Sequence, residues 1–161
     1  MHTENRYRAG RRSITGVLLV LAITAPTAVV AGTEADLRAG VYADDEAVAL
    51  GGGALTSMDH AGRWWFNPNA ELAFGDARNL YTVNGDIHFD LTPRRPTSVW
   101  FGAGPAVLVS DPEGRDDSSV DIGLNAVAGV GASRGEVRPF AQMKGLIADN
   151  SQVAILGGIR F

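Results

Sequence analysis

The amino-acid sequence predicts an all-β protein, and three observations indicate this fold class. Apolar and polar residues alternate with a period of two, turn-rich breaks recur after roughly a dozen residues, and no segment carries the i, i+3, i+4, i+7 pattern of an amphipathic helix. We therefore expect eight β-strands. They cover about 35–43, 46–57, 62–74, 79–91, 97–109, 119–132, 137–147 and 151–161.

The first 31 residues have the organisation of a secretory signal peptide. The apolar run Ile14–Ala25 is shorter than the roughly 20 residues that a transmembrane helix needs. Pro26 and a small-residue cleavage site at Val29–Ala31 follow it. The basic residues that precede it are Arg6, Arg8, Arg11 and Arg12. We predict that residues 1–31 are a cleaved signal peptide and that residues 32–161 form one domain; a membrane anchor is the alternative.

Composition excludes two classes of function. The chain has no cysteine, so it can form neither a disulfide framework nor a thiolate metal site. Removal of residues 1–31 leaves ten basic and seventeen acidic residues, a formal net charge of −7. Because nucleic-acid binding requires a basic surface, this balance argues against a nucleic-acid partner.

The two faces of the strands differ in a way that suggests which of them lies inside. The apolar faces carry large side chains, whereas the polar faces are rich in glycine and small residues, as a narrow lumen requires. The last segment alternates strictly and stops at the aromatic Phe161. These features favour an eight-stranded antiparallel up-and-down transmembrane β-barrel, in which apolar faces meet lipid and polar faces meet the lumen. A soluble sandwich would show the same alternation with the faces reversed.

Three sequence stretches carry a resemblance to a known family. With Trp100–Pro105, Arg138–Gln142 and Gly157–Phe161, the chain resembles the small eight-stranded bacterial outer-membrane barrels of the OmpA/OmpX type over about residues 35–161. The resemblance implies a monomer in the bacterial outer membrane, with membrane lipid and lipopolysaccharide around it. It also implies that the barrel-assembly machinery recognises the last strand. The residues that would form this assembly signal are Val153, Ile155, Ile159 and Phe161.

Charged residues on the polar faces are expected to point into the lumen. Buried charges cost several kcal/mol unless they are paired, so we expect an ion-pair network that fills the barrel. Its predicted members are Arg38, Glu71, Asp86, Asp90, Asp121, Arg138, Lys144 and Arg160. His88 is expected to be a hydrogen-bonded lumen residue. A gated conduit or proton path is the alternative, because ionisable groups inside membrane proteins are often functional.

The connections between strands differ in charge at the two ends of the predicted barrel. Acidic residues such as Asp44, Asp45 and Asp149 concentrate in the odd connections, whereas the even connections are neutral to basic. With a periplasmic N-terminus, the acidic rim faces outside. It either is simply solvated or bridges to lipopolysaccharide phosphates through divalent cations, which prefer oxygen ligands.

The sequence offers no catalytic constellation. His60 falls in an even connection, away from Ser118 in an odd one, and His88 points inward, so no His–Ser pair is expected. We therefore expect a non-enzymatic protein with a structural or envelope role, without catalytic residues, cofactor or metal. The short connections also argue against an adhesin or receptor. Two alternatives remain: a soluble periplasmic β-barrel or sandwich that binds a small apolar ligand, and a lipid-A-modifying barrel enzyme.

Overall fold

The computed structural model describes residues 32–76, 78–112, 118–149 and 151–161. Within these ranges the fold is all-β, as predicted, and no helix is long and apolar enough to cross a membrane. The predicted signal peptide, residues 1–31, lies outside the described residues. The strands are β1 (Thr33–Tyr42), β2 (Ala47–Ser57), β3 (Trp64–Phe74), β4 (Arg78–Asp90), β5 (Thr97–Pro112), β6 (Ser119–Ala132), β7 (Arg138–Ile147) and β8 (Gln152–Arg160).

The eight strands form one closed antiparallel barrel. Each strand pairs with its neighbours in sequence, and β1 closes the sheet by pairing with β8, with Asp36 opposite Arg160 and Val41 opposite Ile155. Closure leaves no strand edge unpaired. We call the end where β1 begins and β8 finishes the terminal end; it carries connections 58–63, 91–96 and 133–137. The opposite end, with connections 43–46, 75–77, 113–118 and 148–151, is called the loop end.

Short connections are made possible by residues with left-handed backbone geometry. Gly62 (φ 69°) and Gly135 (φ 106°) turn the chain at the terminal end, where glycine adopts this geometry without a steric cost. Arg94 (φ 67°) and Glu46 (φ 49°) do the same in two further connections. In the 58–63 turn, the Asp59 carboxylate accepts hydrogen bonds from the backbone N–H groups of Arg63 (2.9 Å) and Trp64 (3.2 Å).

Burial alternates along the strands with the polar side inward. Polar residues such as Asn69, Glu71 and Asp86 are buried, whereas their apolar neighbours face outward. The outward-facing large apolar side chains run round the barrel on all eight strands. They include Leu37, Leu50, Leu72, Val83, Val107, Ile122, Met143 and Ile155. This arrangement is the inverse of a soluble β-sandwich and matches that of a barrel in lipid.

Candidate functional site in the barrel interior

The lumen near the loop end is filled by an apolar layer. Leu80 and Leu156 pack with Tyr42 and four alanines, while Leu108 and Leu146 form a second group with Ala106. These residues are buried to 2% exposure or less. These apolar side chains therefore have almost no accessible surface inside the barrel.

A central ion-pair cluster, Asp36, Arg38, Glu71 and Lys144, lies next to the apolar layer. The Arg38 guanidinium donates through Nε (2.8 Å) and Nη2 (2.7 Å) to the Asp36 carboxylate, and its Nη1 lies 3.5 Å from Glu71 Oε1. Glu71 Oε2 accepts hydrogen bonds from the Lys144 ammonium and from the Tyr42 hydroxyl (2.7 Å). Two acids and two bases thus neutralise one another in the lumen, which offsets the cost of their burial.

An amide cluster, Asn67, Asn69, Asn84 and Asn125, extends the polar network around Asp86. Asp86 accepts hydrogen bonds from Asn69 Nδ2 (3.0 Å) and Asn125 Nδ2 (3.1 Å). Asn84 links the same two amides, donating to Asn69 and accepting from Asn125, both at 2.9 Å. Asp86 is therefore held by neutral donors, while Asn67 connects this cluster to Arg38 at 3.0 Å.

Aromatic rings surround Arg160 on the terminal side of these clusters. Its guanidinium carbon lies 4.3 Å from the centroid of the Trp100 ring and 4.8 Å from that of Phe140. Both rings occupy space left by glycine, because a Cβ on Gly129 would approach Trp100 Cζ2 to 2.3 Å and one on Gly158 would approach Phe140 Cζ to 2.6 Å. The glycines of the polar face thus make room for inward-pointing aromatic side chains.

A cavity of about 350 Å³, which we call the terminal cavity, opens beyond these rings at the terminal end. Trp65, His88 and Trp100 contribute ring surface to its wall. Its charged lining consists of the bases Arg94, Arg95, Arg134, Arg138 and Arg160 and the acids Glu34 and Asp90. The cavity is therefore the most basic part of the described interior.

The remaining predicted lumen residues have different surroundings. Arg138 pairs with Glu34 at 2.5 Å, and Asp90 accepts hydrogen bonds from the Ser98 hydroxyl (2.6 Å) and the Thr92 amide (2.7 Å). The structure does not bring Asp121 into the network: it is half-buried near the loop end, and no ion pair joins it to a described residue. His88 is buried and stacks against Trp100 with ring centroids 6.3 Å apart.

Sequence reasoning missed several interior residues. Asp36 carries the closest contact of Arg38, and Trp100 lines the terminal cavity, yet neither was expected there. Alternation along β1 would have indicated Asp36, since it is two residues from Arg38 on the same face. Trp100 lies beside the outward-facing Phe101, and two adjacent aromatic residues gave no indication of which one points inward.

Acidic side chains at the loop end take part in the fold. Asp44 Oδ2 accepts a hydrogen bond from the Val153 amide (2.7 Å), and Asp45 pairs with Arg78 at 2.8 Å. Glu113, Asp116 and Asp117 lie outside the described residues. No group of three or more His, Cys, Asp or Glu side chains in the described ranges is arranged to hold a metal ion.

Three residues with catalytic potential line the terminal cavity, but their geometry is not that of a triad. Ser98, Asp90 and His88 share this wall. Ser98 Oγ donates its hydrogen bond to Asp90, and within the described residues no hydrogen bond joins it to His88. A serine nucleophile needs a base positioned to take its proton, so this arrangement does not activate Ser98.

The four residues of the predicted assembly signal share the outer face of β8. Val153, Ile155, Ile159 and Phe161 are all exposed. Phe161 also joins the end of β8 to β1, since its N–H and C=O groups each form a 3.0 Å hydrogen bond with the backbone of Ala35. The position of Phe161 therefore combines barrel closure with an exposed aromatic ring.

Comparison with known proteins gives matches among solved structures. The chain is similar to the N-terminal β-barrel domain of Pseudomonas aeruginosa OprF (TM-score 0.67, 13% identity, 80% of this chain and 95% of that one). It is also similar to Neisserial surface protein A (TM-score 0.60, 13% identity, 80% of this chain and 92% of that one). A third similar structure is that of Ail of Yersinia pestis, crystallised with the heparin analogue sucrose octasulfate (TM-score 0.55, 14% identity, 80% of this chain and 97% of that one). Protein-family models and curated proteins give no match. At these identities the likeness concerns architecture: the chain has the fold of the small eight-stranded outer-membrane β-barrels.

Proposed function

We propose that this chain is a non-enzymatic β-barrel protein of the bacterial outer membrane with a structural role in the envelope. The inverted burial pattern carries the proposal, because large apolar side chains cover the outside while ionisable and amide side chains fill the inside. Soluble monomers rarely expose an apolar patch above about 300–600 Å². A belt around the whole barrel is stable when lipid, rather than water, surrounds it.

The proposed orientation places the terminal end in the periplasm and the loop end outside the cell. Delivery would require residues 1–31 as a signal peptide and the barrel-assembly machinery as a partner that reads the outer face of β8. Membrane lipid and lipopolysaccharide would surround a monomer. The acidic loop end supports contact with lipopolysaccharide phosphates through divalent cations, with the carboxylates as oxygen ligands.

A structural role rather than transport is supported by the filled lumen. The apolar layer and the central ion-pair cluster leave side chains such as Leu80, Lys144 and Leu156 almost without exposed surface. An ion would have to displace these groups and break the Glu71–Lys144 pair to pass. We expect the purified protein to give no steady conductance in planar lipid bilayers; a stable open channel would contradict a structural lumen.

Fractionation and gel mobility test the membrane assignment. The mature protein should sediment with outer membranes after osmotic shock, because its apolar belt is solvated only by lipid. Folded barrels resist the detergent of an electrophoresis sample until they are heated, so unheated and heated samples should migrate differently. Release into the osmotic-shock fluid without a heat-dependent shift would identify a soluble periplasmic protein instead.

Lipid A mass spectra test the absence of an enzymatic role. Unchanged spectra in a deletion strain are expected of a non-enzyme, whereas altered lipid A would support a lipid-modifying barrel.

A further inference from the structure

We infer that the terminal cavity is a binding site for a small phosphate-bearing molecule. Its volume of about 350 Å³ lies within the 300–1,000 Å³ that small-molecule sites commonly occupy. The apolar layer and the central ion-pair cluster close the lumen behind it. This inference requires only the barrel fold, not the proposed cellular location.

Charge favours an anionic ligand. Five arginines and two acids line the cavity, and both acids are already engaged, Glu34 by Arg138 and Asp90 by Ser98 and Thr92. No ion pair joins Arg94, Arg95 or Arg134 to a described residue. Several guanidinium groups thus converge on one space without matching carboxylates. Such a site attracts an anion of more than one negative charge.

Arg160 provides a second, independent indication. It is only 8% exposed, and its Nε has no hydrogen-bond acceptor among the described residues. Asp36, which lies opposite in the strand register, is occupied by Arg38. In the same part of the structure, the buried Nε of Arg138 is also without an acceptor from any described residue. Buried donors of this kind are uncommon because each one costs free energy. Two such guanidinium groups beside a basic cavity have hydrogen-bonding capacity that the described protein atoms do not use.

The shape and composition of the wall specify the ligand further. The planar fork of arginine matches the oxygens of phosphate and forms charge-assisted hydrogen bonds with them. Trp65 supplies flat apolar surface beside these donors, against which a sugar or other small carbon skeleton can pack. We therefore expect a compact organic phosphate to bind more tightly than inorganic phosphate.

Calorimetric titration of the full barrel, purified from membranes in octyl glucoside and phosphate-free buffer, tests the site. Ribose 5-phosphate should bind saturably with one-to-one stoichiometry, inorganic phosphate should bind more weakly, and uncharged ribose should give no saturable heat. Tryptophan fluorescence, to which Trp65 in the cavity wall contributes, should change with the same saturation curve. Displacement of ribose 5-phosphate by phosphatidylglycerol micelles would identify a lipid headgroup as the source of the phosphate, whereas no displacement would indicate a soluble one.

Matched arginine variants separate a built site from general attraction. Arg95→Gln and Arg134→Gln should each weaken ribose 5-phosphate binding about tenfold, which corresponds to about 1.4 kcal/mol. Arg63→Gln makes the same charge change at the same end but outside the cavity, so its affinity should be unchanged. Arg160→Gln should weaken binding more. If this variant fails to fold, Arg95→Gln and Arg134→Gln still test whether the cavity binds the ligand. No saturable binding, equal binding of ribose, or an equal loss in Arg63→Gln would overturn the inference.

Discussion

Replacement of Glu71 by glutamine tests whether the lumen clusters stabilise the barrel. Among the described residues, Glu71 is the carboxylate that forms an ion pair with Lys144, and it also accepts a hydrogen bond from Tyr42 and faces Arg38 at 3.5 Å. Glutamine keeps the size of the side chain but removes its charge. Arg38 retains Asp36 as an ion-pair partner, whereas the Lys144 ammonium, at 1% exposure, is left as an uncompensated buried charge.

The expected cost follows from this geometry. Removal of one partner of a buried ion pair typically lowers the free energy of unfolding by about 3–5 kcal/mol, because the remaining charge stays desolvated. Since Tyr42 can still donate to the glutamine oxygen, we expect the lower part of that range, about 3 kcal/mol. Asp45→Asn is the matched control. Its pair with Arg78 is more exposed, 12% and 20% for the two side chains, so we expect at most about 1 kcal/mol.

Urea unfolding in phospholipid vesicles, followed by tryptophan fluorescence and gel mobility, measures these changes. The double variant Glu71→Gln, Lys144→Gln should recover much of the loss, because it removes both charges together. A cost below about 1 kcal/mol for Glu71→Gln, or no recovery in the double variant, would refute the view that the buried pair is a coupled unit.

Three further changes test other parts of the structure. Phe161→Asp should prevent accumulation of the heat-modifiable form in outer membranes, whereas Phe161→Trp should assemble normally. Gly129→Ala should lower the free energy of unfolding by about 1–3 kcal/mol, because its Cβ would lie 2.3 Å from the Trp100 ring. Gly145→Ala, with its nearest atom at 4.0 Å, should cost much less. Asp59→Ala should speed hydrogen exchange of the Arg63 amide, which loses its acceptor.

The protection of the Arg63 amide from hydrogen exchange by Asp59 should also depend on pH. Desolvation raises the pKa of its carboxyl, but hydrogen bonds from the Trp64, Arg63 and Gly62 N–H groups outweigh it and bring the pKa below its usual value. A lowered folded pKa means that the protection is complete above the unfolded pKa and is lost as pH falls through the folded pKa. Equal exchange in wild type and variant at neutral pH would contradict this role.

The predictions for Phe161 and Gly129 can also be contradicted by experiment. Normal assembly of Phe161→Asp would argue against a recognition role for the last strand. Equal stability losses for Gly129→Ala and Gly145→Ala would show that the contact with the Trp100 indole does not determine the cost.

The eight strands and the two faces of each strand could be predicted from local patterns. Successive side chains of a strand point to opposite faces, so period-two alternation identified both the strands and their two faces. Predicted and observed bounds agree closely; for example, β6 spans Ser119–Ala132 in both. Failures occurred where alternation is weak, as at Trp100 and Phe101, where two aromatic residues are adjacent.

The interior contacts could not be predicted because they depend on depth and register. Asp121 and Asp86 both lie on polar faces, yet only Asp86 reaches the amide cluster, since β3, β4 and β6 place Asn69, Asn84 and Asn125 beside it. The terminal cavity has the same origin. Its arginines come from β7, β8 and two connections. The β7–β8 register sets Arg138 opposite Arg160, and the curvature of the closed barrel brings the connections that carry Arg94, Arg95 and Arg134 to the same end.

The sequence by itself determined the all-β class and the separation of apolar and polar residues onto two faces of each strand, because both follow from the steric alternation of side chains along a strand. Closure of the eight strands into a barrel then decided that the polar face lies inside. Only the tertiary structure decided which inward groups meet. Closure of the barrel fixes how far each strand is shifted against the next, and that shift brings Lys144 to Glu71 and leaves the Arg160 Nε without a hydrogen-bond acceptor among the described residues.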